Sequence, residues 1–237
     1  MQPRLETAGD RAVCLRFPSE ISAPVFEAVQ ETLARLERVR QPEWLDVVPG
    51  YASILIVLDP ARAIPGEVAA ALPALLAQAA AGSRPVPRRV EIPVFYHPAV
   101  APDLEPTAAT LGMAVEELVA RHRAPVYRCH LLGFRPGFPF LGGLDPALVL
   151  PRLDTPRLRV AGGSVAIAAQ QTGIYPGPGP GGWRILGRTP LRLFEAERIP
   201  PALVAAGDEV VFVPIDLDGF RALGGTASAE EKARLGW

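Results

Sequence analysis

Apolar and polar residues alternate from Arg11 to Phe17, the pattern of a half-buried strand. Phe26, Val29, Leu33 and Leu36 then recur every three or four residues and make one apolar helical stripe. Ser22 stands where the N-cap of that helix belongs, and Pro24 falls in its first turn. Leu45–Val48 and Ser53–Leu58 read as two strands joined around Pro49-Gly50. A second helix is predicted from Pro65 to Ala81, with Gly82 as its terminator. Pro73 either kinks it or marks the start of a shorter helix. Strand and helix therefore repeat in the order β-β-α-β-β-α, a small α+β domain over residues 1–84.

Gly82 to Arg89, GSRPVPRR, has two prolines, three arginines and no apolar period, as a semi-rigid connector would. The texture then changes. Val90–Tyr96 reads as a strand, and Leu104–Leu111 and Val115–His122 as a short helical pair broken at Gly112. Beyond it come short strands between Gly/Pro turns: Tyr127–Phe134, Ser164–Ala168, Arg184–Ile185, Leu191–Phe194 and Glu209–Val213. Many short strands at close spacing favour a closed barrel. The fold class is thus an α+β N-terminal domain followed by a mainly β barrel domain over residues 85–237.

Composition narrows the function without naming it. The 237 residues are 49% hydrophobic and 21% charged, with a net charge of −1, which excludes the basic block of a nucleic-acid binder. Lys232 is the single lysine among 24 basic residues. Cys14 and Cys129, two cysteines in all, make no disulfide framework, and a reducing cytoplasm is the expected compartment. Charges in MQPRLETAGDR interrupt any signal-peptide core, and the greasiest stretch, Val68–Ala81, is too short and too broken to span a bilayer. No membrane or nucleic-acid partner is expected.

Candidate chemistry gathers in the second half. Cys129 and His130 are neighbours on a strand, so they point to opposite faces and cannot form a nucleophile–base dyad. Cys129 reads as a small core residue, and His130 stays open as a pocket residue. Three histidines, none at ligand spacing, give no metal site. Gly162-Gly163-Ser164 and the run from Pro176 to Gly182 could present backbone N–H groups to an anion. No phosphate-binding GxxxxGK[ST] loop is present. Gln170, Gln171 and Thr172 lie between those turns and offer amide and hydroxyl hydrogen bonds to a small ligand. Arg184, Arg188 and Arg192 would share one face if the strand ran unbroken, but Gly187 and Pro190 favour a break; Arg188, beside the glycine turn, is the candidate carboxylate binder. In GFRPGFPFLGGLDP, glycines and prolines fix the bends that carry Phe134, Phe138 and Phe140, a loop suited to lining an apolar pocket or capping a barrel end.

YRCHLLGFRPGFPFLGGLDP, TPRLRVAGGSVAIAAQQTGIYP and GGWRILGRTPLRLF, in that order, resemble the KipI/allophanate hydrolase subunit 1 family, which includes one component of bacterial 5-oxoprolinase. VEIPVFY, PDLEPTAATLGM, VARHRAPVY and the closing GDEVVFVPI fall in family order around them. The resemblance implies a cyclophilin-like barrel for the second domain. It also implies action beside two partner proteins, one KipA-like and one LamB/YcsF-like. Together they open a small cyclic amide, 5-oxo-L-proline, to L-glutamate using ATP with Mg in the assembled complex, the isolated chain being inactive. The alternative within the family is a protein inhibitor of a sensor histidine kinase. The implied pocket residues are His122, Phe134, Pro136, Gly137, Phe138, Gln171, Thr172, Tyr175, Trp183 and Arg188, to which the strand face of His130 adds that residue, with no catalytic residue assigned.

Overall fold

A computed structural model describes residues 1–19, 22–79 and 87–237. The chain divides into two compact units, Met1–Val86 and Pro87–Trp237. Gly82, the expected helix terminator, and most of the Gly82–Arg89 connector lie outside the described residues.

In the first unit, β1 (Arg4–Thr7), β2 (Ala12–Arg16), β3 (Trp44–Pro49) and β4 (Ser53–Leu58) form an antiparallel sheet in the order β1-β2-β4-β3. Helices α1 (Ala23–Arg38) and α2 (Pro65–Gln78) supply the apolar residues that its strands bury. Val13, Leu15, Ile54 and Ile56 pack with Val25, Val29 and Leu36 of α1 and Leu72 of α2. Ser22 occupies the N-cap of α1 without a side-chain bond. Pro73 neither starts nor ends α2; Val68, Ala69, Leu72, Leu75 and Leu76 pack on the core on both sides of it. That burial holds the helix across the hydrogen bond a proline cannot make.

The second unit opens with β5 (Arg89–Val94), α3 (Leu104–Leu111) and α4 (Val115–Arg123). Gly112 ends α3 in a left-handed conformation, as the break in the sequence pattern requires. Then follow β6 (Tyr127–Leu132), β7 (Pro139–Gly142), β8 (Arg157–Val160), β9 (Ser164–Ala168), β10 (Gln171–Ile174), β11 (Gly179–Gly181), β12 (Arg184–Arg188) and β13 (Glu209–Pro214). Short helices α5 (Leu217–Ala222) and α6 (Ala229–Leu235) complete the unit.

Seven of these strands make one sheet in the order β12-β9-β10-β7-β6-β13-β5. All its pairings are antiparallel except β13 with β5. Its two ends meet where Phe95 and Arg188 exchange N–H···O bonds of 2.8 and 3.0 Å, so the sheet nearly closes on itself. Strands β8 and β11 form a separate ribbon.

Two expected strands change. The strand from Tyr127 stops at Leu132, because Gly133 and Phe134 begin a turn. Leu191–Phe194 is irregular and keeps only a bridge from Phe194 to Ala202. Prolines at 190, 200 and 201 remove the N–H groups a ladder would need there.

Candidate functional site

The turn after β6 sets the site. Gly133 N–H bonds to Phe138 O at 3.2 Å and Phe138 N–H to Arg135 O at 3.0 Å, folding residues 133–138 into a tight loop. Phe134 sits there at φ 62°, a conformation that side chains with a Cβ rarely adopt, and its ring is 61% exposed. Arg135 ties the loop to the glycine-proline run, donating to Pro178 O at 2.6 Å.

Phe138, by contrast, is buried and central. Its ring lies 5.3 Å from Tyr175 and 5.4 Å from Trp183, both edge to face, and 4.8 Å from Phe140. Phe134 meets it edge to face at 5.5 Å. Such geometry sets ring edges against ring faces, the arrangement aromatic quadrupoles favour. Space for the Phe138 ring comes from Gly173 on β10: a Cβ there would stand 2.9 Å from both that ring and Pro139 O.

These five rings wall an open cavity of about 270 Å³, which the backbone of Pro180–Gly182 and the segment from Arg152 to Pro156 complete. Tyr175 stands at its base, with its hydroxyl held up from the usual phenol range by burial. A backbone hydrogen bond from Trp183 and the charges of Arg152 and Arg157 work against that rise. The walls are mostly apolar, and the polar groups are few.

Phe134, Phe138, Tyr175 and Trp183, expected from sequence, thus meet in one cavity. Gly137 forms its supporting turn at φ 79°, close against Leu193 and Phe194. Pro136 is exposed beside that turn and does not line the cavity. Pairing of Gln171 with Gly142 and of Gly173 with Phe140 puts Gln171 on the same sheet face as the aromatic wall. His130 lies over Gly142 on that face, where a Cβ added to Gly142 would be 2.2 Å from its Nε2. Burial lowers the His130 pKa. Gln170 is an exposed turn residue.

Three expectations need correction. His122 is wholly buried, stacked on Phe212 at 4.8 Å, and away from the cavity. Thr172 Oγ1 donates to Ala166 O at 3.0 Å and accepts from His122 Nε2 at 3.0 Å. The Tyr96 hydroxyl is then the donor to His122 Nδ1 at 2.9 Å. Neutral imidazole satisfies every group in this chain of bonds, and burial pushes the His122 pKa from 6.5 down to about 3. His122 and Thr172 are therefore a structural network within the barrel. Arg188 is no free carboxylate binder either. Its guanidinium grips Glu231 of α6 at 2.9 and 2.7 Å and donates to Val100 O at 3.3 Å. A bulge between Ile185 and Gly187 is the break expected at Gly187, so Arg184 and Arg188 do not share one regular face.

Cys129 is fully buried in the barrel core, in keeping with its reading as a small core residue. Its thiol is pushed well up by burial, which makes it inert as a nucleophile. Phe140 and Arg152 line the cavity although neither entered the implied set. Phe140 carried a signal, its phase with Phe138 in the loop; Arg152 carried none that set it apart from the other arginines.

The family profile "Carboxyltransferase domain, subdomain C and D" matches residues 3–204. The B component of 5-oxoprolinase from Bacillus subtilis (strain 168) is 36% identical over 229 residues, covering 92% of this chain and 95% of that one. The protein of the same name from Escherichia coli O157:H7 is 38% identical over 208 residues, covering 87% and 93%. Among solved structures, TTHA0988 superposes with a TM-score of 0.76 at 39% identity over 87% of this chain; the chain spans 40% of that longer protein. The urea amidolyase of K. lactis shares the fold at a TM-score of 0.73 and 18% identity, covering 93% of this chain and 15% of that one.

Proposed function

The chain belongs to the carboxyltransferase subdomain C and D family, and from that premise we propose that it is one component of an ATP-dependent 5-oxoprolinase. In this reading it works in the cytoplasm with a KipA-like and a LamB/YcsF-like partner to hydrolyse 5-oxo-L-proline to L-glutamate. Near full-length similarity to two 5-oxoprolinase components of the same name supports the complex. The observation that carries this chain's share of the work is the five-ring cavity, whose volume of about 270 Å³ suits a small ring.

An unstrained lactam resists hydrolysis at neutral pH. ATP would supply the activation, its terminal phosphoryl group passing to the amide oxygen as ADP leaves, which would open the ring carbon to attack by water. The described residues of this chain show no cluster built to hold the nucleotide's metal. Among the described residues no group of three or more His, Cys, Asp or Glu is placed to hold a cation. The one lysine, Lys232, lies over the Trp237 ring at 4.9 Å. In this reading the nucleotide is held by the partner proteins. Phe134, Phe138, Phe140, Tyr175 and Trp183 would hold the ring flat against dry walls and keep stray water from it.

A second reading has its own observation. Phe134, strained and 61% exposed, is an apolar anchor that a protein partner such as a sensor kinase could cover. One experiment separates the two: 5-oxoproline-dependent ATP hydrolysis by the three reconstituted proteins, each then omitted in turn. The enzyme reading expects activity to vanish without this chain. Full activity in its absence, with both partners folded, overturns that reading and favours the regulator.

A further inference from the structure

Arg152 is exposed at the rim of the aromatic cavity, on the segment that leads into β8. The backbone around it is fixed. Leu153 N–H bonds to Gly182 O at 2.8 Å, and Arg184 Nε donates to Pro151 O at 3.2 Å. The neighbouring cation, Arg157, is already committed: it holds both carboxylate oxygens of buried Asp103 at 2.9 and 2.6 Å. Arg152 has no such carboxylate partner among the described residues. It shares the lining of the cavity with Tyr175, whose ionised form a cation there would favour.

A cation at the mouth of an apolar cavity is screened less than one on an open surface, so its pull on an anion is stronger there. The rings take a flat, compact body and the guanidinium takes a carboxylate, in the bidentate geometry that arginine favours. We propose that Arg152 binds the carboxylate of the cyclic amide substrate, so that this cavity selects small rings bearing a carboxylate over neutral cyclic amides and ureas. The inference rests on the 5-oxoprolinase reading and assigns to that reaction a specificity residue.

The test compares the assembled three-protein complex with its Arg152→Gln and Arg152→Lys versions. The substrates are 5-oxo-L-proline and pyrrolidin-2-one, the same ring without the carboxylate. For Arg152→Gln the KM for 5-oxoproline should rise about 10- to 100-fold, the loss expected for a charge-assisted hydrogen bond, while kcat changes little. Preference for 5-oxoproline over pyrrolidin-2-one should fall by the same factor, and Arg152→Lys should restore part of it. An Arg152→Gln complex with wild-type KM and wild-type preference overturns this inference alone. A wild-type complex that fails to hydrolyse 5-oxoproline overturns both it and the reading on which it rests.

Discussion

His122 shows how one buried side chain writes a pH dependence into the whole barrel. In the folded chain it stays neutral down to about pH 3, whereas an unfolded histidine takes a proton near its ordinary 6.5. The unfolded state therefore binds the extra proton across that window. Stability is complete above pH 6.5 and falls as the pH drops toward 3, by up to about 1.4 kcal/mol for each pH unit. His130, also lowered by burial, acts in the same direction. A His122→Gln chain keeps a hydrogen-bonding amide but loses the titration. Denaturant melts at pH 6.5, 5.5 and 4.5 should show a shallower decline for it than for the wild type. Parallel declines would mean that His122 is protonated in the fold, and the neutral network would be wrong.

At the scale of elements, the cavity depends on a close approach between β10 and the ring carried just ahead of β7. Gly173 leaves room for Phe138, and a methyl there would meet both a ring and a backbone oxygen at 2.9 Å. Backbone cannot yield as a flexible side chain does, so Phe138 must move out of its place among Tyr175, Trp183 and Phe140. Gly173→Ala should lower stability by about 1–3 kcal/mol and also raise the KM for 5-oxoproline in the assembled complex. Stability lost with an unchanged KM would separate the Phe138 position from substrate binding.

The same close approach marks the limit of what the sequence reveals. Amphipathic helices and alternating strands were legible because their periods repeat: α1, α3, α4, β2, β4, β9 and β13 lie close to where the pattern puts them. The four-residue strands β7, β8 and β10 are too short to show a period, and proline and glycine in their neighbourhood argue for turns. The aromatic loop was visible as a site because glycines and prolines around large rings suit no regular element. Arg188 and His122 looked like ligand groups from their motifs alone. Their partners, Glu231 and Tyr96, are 43 and 26 residues away in sequence and come near only through the fold. Arg152 was hidden for the converse reason: its distinction is the absence of a carboxylate partner among the described residues.

At the scale of the molecule, the account divides labour between chains. In the proposed complex the barrel of this chain would offer rings and an arginine to a small acid amide, and its partners would hold nucleotide and metal. No helix of the described residues is long and apolar enough to cross a membrane. The most direct test is a structure of the assembled complex with 5-oxo-L-proline bound. The account predicts the ring in the cavity that Phe138 and Trp183 of this chain help to line, with its carboxylate on Arg152. Substrate held wholly by a partner protein, with this cavity unchanged, would contradict it.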